Sequence, residues 1–525
     1  MVFLSTAYDF LPIEEENRLK GGLAKFLNCF SARKNFKNLR KVDKSKDIVT
    51  IHTARFMSMI IILMGHRFIA NSGAPMHNAI FMENAVGNPL FIHLLMSPVL
   101  VVDTFFLLSG FLTGNQMLRD FDTKRFKLIS GYVHRYIRLT PVYILVVGFY
   151  ATILYHLGSG PLWKARVSLE QDRCAKNWWT NLLYINNYVN TEDLCMFQSW
   201  HLTCDFHFYL MAPPIVYLLW KKFLVGISLI VILICSVIAA LFFLTFTNYL
   251  DPVLMSFNSV LVDLNSDPTF RITYIPTHTR FIPYLIGIAA SYFYYKKKLH
   301  INLSNRHQAL TSIFILILSN IPILSAILFY TPGYKYDRTE AAVYAAFHRI
   351  PWCLGMACLI VMGATKNSGL IQPILSWKAF VPLSRLTYCV FLSHGALQLY
   401  STSSLRTPDY NSKFKIVWTL MGDILITYIV SLVIHLLFEA PILKLDRTYF
   451  TSSSKSNDGN SRTVGVINGK ENKAFTAESM SNLHVISNDQ LHFTVTEPHE
   501  KYSHKYEKYL RRKSETPSEN PTEFR

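Results

Sequence analysis

Arg55 and His66 stand at either end of the apolar run RFMSMIIILMGH, eleven residues apart. Eleven steps of 100° return a helix to within about 20° of its starting direction, so both side chains share one face, roughly 16 Å apart along the axis. An arginine can hold a phosphate or a carbonyl oxygen. A histidine, with an ordinary pKa of about 6.5, can accept a proton at neutral pH. The spacing fits a catalytic pair, and it fits equally an interfacial arginine beside a packed histidine.

Two carboxylates lie in other apolar runs. Asp103, in VVDTFFLLSGFLTGN, is expected either to orient a histidine or to pair with an intramembrane arginine. Asp205, in WHLTCDFHFYL, is a candidate for orienting a catalytic base or contacting the acceptor substrate of a group-transfer reaction. Because His66 is too short to reach the membrane interface, we expect Asp103 or Asp205 to be its polar neighbour. A carboxylate there would fix the imidazole tautomer and raise its basicity.

Basic residues suggest where an anionic donor binds. Arg135 and Arg138, in YVHRYIRLTPVY, are one helical turn apart. They fit two interpretations, namely contact with lipid headgroups or capture of an anionic donor, and Arg385 is a third candidate donor contact. The remaining ionisable residues near the ends of apolar runs are Arg280, His348, Arg349, His394 and Glu439.

Metal ligation is not indicated by residue spacing. His201 and Asp205 share a helix face, but two ligands do not make a site. The sequence also has no CxxC pair and no zinc-type spacing. We therefore expect no metal and no bound cofactor.

The elements that must position these residues are membrane helices. Of the 525 residues 51% are hydrophobic and 16% charged, against about 25% charged in a soluble chain. A bilayer crossing takes roughly 20 apolar residues. We therefore expect an all-α polytopic bundle of about ten transmembrane helices, which excludes a cytosolic enzyme, a secreted module and a disordered protein. The ten expected spans are 54–71, 90–116, 132–157, 199–220, 223–247, 279–295, 308–330, 342–364, 379–402 and 416–443.

The net charge of +18, from 52 Lys+Arg and 34 Asp+Glu, is distributed as a topology signal. The alternate short loops from 117–138 to 366–385 hold 15 Lys+Arg against two acids, whereas the other set, from 72–89 to 401–415, holds 10 against 11. Loops rich in Lys and Arg stay in the cytoplasm, so the first set is cytoplasmic. An even number of spans then places both termini on the same side as these loops. We therefore expect both termini in the cytoplasm of a plasma membrane or endomembrane protein, with the lipid bilayer and not nucleic acid as partner.

The chain divides into three parts. Residues 1–47 form a basic cytoplasmic segment, 48–446 the membrane domain, and 447–525 a polar tail expected to be disordered. The long loop at 158–198 contains Cys174 and Cys195, which fit a disulfide if the loop faces an oxidising lumen, or two free thiols otherwise. Asn302 lies in a predicted cytoplasmic loop, so its NLS sequon is expected to carry no glycan.

Six segments taken in order resemble the acyltransferase 3 family. They are HTARFMSMIIILMGH, VDTFFLLSGFL, HRYIRLTPVY, WHLTCDFHFYL, RFIPYLIG and SRLTYCVFLSH. They cover about 48–446 and look most like the animal nose-resistant-to-fluoxetine branch. Animal members usually have a signal peptide, a cysteine-rich extracellular domain and a further helix before this region, and this sequence begins after those parts.

The resemblance implies acyl transfer from a cytosolic acyl-CoA-type donor to a hydroxyl acceptor. The family's essential arginine and histidine fall on Arg55 and His66, and its arginine-rich third span falls on Arg135 and Arg138. We interpret the chain as a membrane O-acyltransferase, with acyl-CoA as co-substrate and a lipid, sugar or small molecule as acceptor. Two alternatives are a lipid or small-molecule transporter without acyl transfer, and an inactive scaffold.

Overall fold

The structure is a computed structural model that describes residues 1–11, 21–42, 48–78, 88–255, 257–262, 264–296, 303–331 and 333–451. Within these ranges the chain is helical, and β-pairing is limited to an isolated bridge between Met76 and Asp409. Asn302 and the tail from 452 onward lie outside the described residues.

Nineteen α-helices are found in the described ranges, several of them extended by short 3₁₀ or π turns. They are α1 (Val2–Phe10), α2 (Gly22–Phe30), α3 (Ala32–Arg40), α4 (Val49–Ser72), α5 (Pro89–Asp122), α6 (Leu128–Gly148), α7 (Leu169–Leu182), α8 (Trp200–Lys221), α9 (Phe223–Thr247), α10 (Asn258–Val262), α11 (Phe281–Lys296), α12 (Asn305–Tyr330), α13 (Arg338–Phe347), α14 (Arg349–Ala364), α15 (Gln372–Leu375), α16 (Phe380–Arg385), α17 (Thr387–Ser403), α18 (Lys413–Ile434) and α19 (Ala440–Leu445).

Eight helical stretches in the described residues are long and apolar enough to cross a membrane. The two further predicted spans coincide with α11 and α17, which have 16 and 17 residues. Both are largely buried among the other helices. The chain is an integral multi-pass membrane protein with an all-α bundle, and the helices found at these two predicted spans are short and lie in its interior.

The bundle has a central helix and lipid-facing outer helices. In α5 the apolar window is 83% buried, whereas in α9 it is 17% buried despite the highest hydropathy of the eight stretches. An apolar helix that buries little of its surface in protein must present that surface to lipid. The charged and polar side chains of the site are therefore expected on α5 and its neighbours, away from α9.

Glycines allow α5 to approach α11 closely. A Cβ atom at Gly110 would overlap the backbone carbonyl of Tyr284, and one at Gly287 would overlap that of Leu107. At Gly114 it would overlap the hydroxyl of Ser291. The small-xxx-small pair Gly110–Gly114 is therefore a helix-packing surface, as this spacing usually is in membranes.

The predicted lumenal segment 158–198 is folded. It contains α7, and a disulfide joins Cys174 in that helix to Cys195. The carboxylate of Glu170 accepts a hydrogen bond from the Met196 amide at 3.0 Å. These bonds fix the chain just before it enters α8.

Candidate active site

Two histidines form a direct pair inside the bundle. His66 on α4 and His394 on α17 are 3% and 0% exposed. Nδ1 of His66 lies 2.6 Å from Nε2 of His394, and the rings stack with centroids 4.8 Å apart at an angle of 22°. His66 therefore faces protein and not lipid.

Backbone carbonyls set the tautomers of this pair. Nδ1 of His394 lies 2.7 Å from the carbonyl oxygen of Phe391 and 3.2 Å from that of Val390. A carbonyl only accepts, so Nδ1 of His394 carries the proton and its Nε2 is an acceptor in the neutral ring. His66 then donates its Nδ1–H to His394. The basic lone pair of His66 is thereby placed on Nε2.

His66 also lines a cavity of about 30 Å³ between α4 and α5. Its walls are mostly apolar, with Pro98 on α5, Leu254 and Leu261 beyond α9, and Tyr274 before α11. A volume of about 10–15 Å³ on this measure accommodates one water molecule. The cavity therefore has room for a hydroxyl group beside His66.

Arg55 is buried on the same helix, at 1% exposure. It does not belong to the lining of the cavity at His66. This cavity therefore does not join His66 to Arg55. The reason is that the cavity extends from His66 toward Leu254 and Tyr274, away from the Arg55 end of α4.

The expectation that Asp103 is the polar neighbour of His66 is wrong. Arg280 donates from Nη1 to Oδ1 of Asp103 at 2.9 Å, and Nε of Arg349 lies 3.7 Å from Oδ2. Asp103 is fully buried. A buried carboxylate gains more from a guanidinium than from a neutral imidazole. Of the two partners expected for Asp103, the intramembrane arginine is therefore the one found.

Asp205 is likewise held by an arginine. Its Oδ2 forms an ion pair with Arg135, whose guanidinium lies over the ring of Tyr209 at 4.1 Å, and its Oδ1 accepts from Ser109 at 2.5 Å. This corrects the expected pairing of His66, whose hydrogen-bonding partner is His394. The same ion pair links α6 to α8, so Arg135 is partly neutralised within the protein.

The other two predicted donor arginines have different surroundings. Arg138 lies within electrostatic range of Glu439 and Arg447. Arg385 donates to the backbone carbonyls of Asn38, Leu39 and Lys41, at 3.1, 2.9 and 2.7 Å. Arg385 therefore holds the end of α3 against the bundle. Arg138 is also within electrostatic range of Arg135, so these two predicted donor contacts lie in one region.

Residue spacing did not identify the partners of α4. In the sequence His394 is one of several ionisable residues near the ends of apolar runs, and nothing in its spacing links it to His66. Arg67 forms a bidentate ion pair with Asp423 on α18 and also donates to Ser401 at 2.9 Å. An acid inside an apolar run is a general signal of function, and Asp423 could have been recognised by it.

An acyltransferase domain model matches residues 48–439. Nose resistant to fluoxetine protein 6 of Caenorhabditis elegans is 26% identical over 501 residues, which is 89% of this chain and 60% of the relative. The chain thus spans less than two thirds of that relative's length.

Two further relatives match most of this chain at a lower identity. Regulator of hypoxia-inducible factor 1 of Caenorhabditis elegans is 23% identical over 459 residues, 81% of this chain and 85% of the relative. O-acetyltransferase OatA of Staphylococcus aureus is 23% identical over 378 residues, 70% of this chain and 56% of the relative. No solved structure matches the chain significantly. Because the domain model spans most of the chain and coincides with the helical bundle, the chain belongs to the acyltransferase domain family.

Proposed function

We propose that the protein is a membrane O-acyltransferase in which His66 is the general base. The observation on which this rests is the His66–His394 hydrogen bond at the wall of a cavity. The O-acetyltransferase name of the bacterial relative supports a hydroxyl acceptor. We propose an acyl-CoA-type thioester as the donor.

The proposed reaction needs one proton carrier. Nε2 of His66 takes the proton of the acceptor hydroxyl as its oxygen attacks the thioester carbonyl. When the tetrahedral intermediate collapses, the carbon–sulfur bond breaks and the proton passes to the leaving thiolate. His394 accepts the Nδ1–H of His66 throughout, and this bond strengthens when the imidazolium forms. The products are an ester and a free thiol.

The donor site is proposed around Arg138. Arg135, Arg138 and Arg447 lie near two carboxylates, those of Asp205 and Glu439. Among these five groups, three guanidinium groups stand against two carboxylates. Such a cluster suits the phosphates of a CoA-type donor. Arg55 is proposed to contact the donor between this cluster and His66, on the side of α4 predicted to face the cytoplasm.

The test is acyl transfer by the full-length chain in lipid nanodiscs. Acetyl-CoA labelled in the acetyl group is offered with glycerolipid, hexose and small-alcohol acceptors, and both labelled ester and free thiol are measured. We expect His66→Ala to lower the rate about 10²–10⁴-fold. A His66→Ala variant that retains the full rate would refute the assignment.

A matched control is available on α8. His207 is partly buried, with Nδ1 2.8 Å from the hydroxyl of Thr277. His207→Phe should keep the wild-type rate. Equal losses in both variants would indicate a general structural effect and not a base at His66.

A further inference from the structure

Three metal-ligating side chains meet at the end of the bundle predicted to face the cytoplasm. Cys389 lies in the first turn of α17, and His435 and Glu439 begin and end the turn that joins α18 to α19. Sγ of Cys389 is 3.1 Å and Nδ1 of His435 is 2.6 Å from Oε2 of Glu439. All ligand atoms lie within 4.8 Å of one another, and all three residues are buried.

The turn that presents two of these ligands is a π-helix, His435–Glu439. The amide of Ala440 donates to the carbonyl of His435, five residues back. Pro441 explains the wider turn, since proline cannot donate to the carbonyl four residues before it and its ring would clash with that carbonyl. Single π turns occur often at functional sites. Here the turn directs His435 and Glu439 toward Cys389.

The three ligand types indicate which metal would bind. A thiolate, an imidazole nitrogen and a carboxylate oxygen are the ligand types that zinc accepts in tetrahedral geometry. Zinc with one thiolate and one carboxylate has no net charge, and this lowers the cost of burying the site. Zinc–ligand bonds of about 2.0–2.3 Å place tetrahedral ligands roughly 3.4–3.7 Å apart. The separations of 2.6 and 3.1 Å to Glu439 are shorter than this by about 0.3–1.1 Å, so the ligand atoms need to move apart by small side-chain rotations.

We propose that Cys389, His435 and Glu439 bind one zinc ion. Binding releases the thiol proton of Cys389, and His435 coordinates through Nδ1 as a neutral ring. Three protein ligands leave a fourth position for water or a substrate atom. This site goes beyond the proposed acyl transfer and does not depend on it. It lies beside the proposed donor site, because Glu439 is also within electrostatic range of Arg138.

Metal content tests the site independently of activity. The full-length chain, purified in detergent, is dialysed against buffered zinc and then against zinc-free buffer, and zinc per chain is measured by mass spectrometry. We expect about one zinc per chain, and at least about tenfold weaker binding in Cys389→Ser. Cys353→Ser, a buried thiol on α14, is the matched control and should retain zinc.

A second measurement covers a Cys389→Ser variant that does not fold. Cobalt bound to the wild-type protein in place of zinc should show a thiolate-to-cobalt charge-transfer band. Wild-type protein without zinc above the dialysis background would overturn the proposal. So would full zinc binding by a folded Cys389→Ser variant, or bound cobalt without the thiolate band. These outcomes would show a hydrogen-bonded cluster only.

Discussion

Replacing His394 should slow catalysis without removing the base. In His394→Phe the ring stack on His66, with centroids 4.8 Å apart, can persist, while the acceptor 2.6 Å from Nδ1 is lost. His66 can then adopt the other tautomer, in which Nε2 carries the proton and cannot act as the base. The expected result is a lower kcat with little change in KM, because the hydroxyl substrate is proposed to bind beside His66 and not beside His394.

The magnitude follows from the bond that is lost. A neutral hydrogen bond contributes about 0.5–1.5 kcal/mol and one to a charged group about 1.5–3 kcal/mol. The donor becomes an imidazolium when His66 takes the proton, so the second range applies to the transition state. The ground state loses the neutral bond and the transition state the charged one, so the barrier rises by the difference, about 1–1.5 kcal/mol. Because about 1.4 kcal/mol corresponds to a factor of ten in rate, we expect a decrease in kcat of roughly 5–13-fold. This is smaller than the loss expected for His66→Ala.

A conservative variant separates this role from packing. The amide oxygen of a glutamine can occupy about the position of a histidine Nε2, so His394→Gln should recover most of the rate. The assay is the labelled acetyl transfer in nanodiscs, with thermal stability measured in parallel. A fully active His394→Phe variant, alongside an inactive His66→Ala variant, would refute the reasoning about the tautomer.

Three further outcomes concern stability. Asp205→Ala leaves the guanidinium of Arg135 buried without its partner and should lower the free energy of unfolding by about 3–5 kcal/mol. The double variant Asp205→Ala with Arg135→Met should lose less stability, because it leaves no unpaired charge. Thermal unfolding of both variants checks this. Opening the Cys174–Cys195 disulfide by a double serine variant should cost roughly 3 kcal/mol for a loop of this length, and a melting temperature indifferent to both the variant and reductant would contradict it. Burial raises the pKa of Glu170 from 4.5 to about 7, so the folded state holds its proton more tightly than the unfolded state, and stability should fall as pH rises from about 4.5 to 7. Glu170→Gln should flatten this dependence in melts between pH 4 and 8, and an unchanged slope would show that Glu170 is not its source.

Apolar run lengths were sufficient to predict the long membrane helices, but not α1–α3 or α7, which lie outside the apolar runs. A bilayer leaves few alternatives, since every backbone amide and carbonyl must be satisfied within the segment. Helices α11 and α17 were predicted as spans, but with 16 and 17 residues they are too short to cross the bilayer alone. Packing explains them, because helices buried among others need not cover the full apolar thickness themselves.

The spacing of Arg55 and His66 within one helix determined that they share a face, because helical geometry is local. The partner of His66 depended on which helices are neighbours, and the sequence contains no record of that. His394 lies on α17, Asp205 is held by Arg135 on α6, and Asp103 is held by Arg280 in the bend before α11. Only the tertiary structure could decide between a carboxylate and a second histidine, because each buried carboxylate pairs with the guanidinium that packing brings within reach.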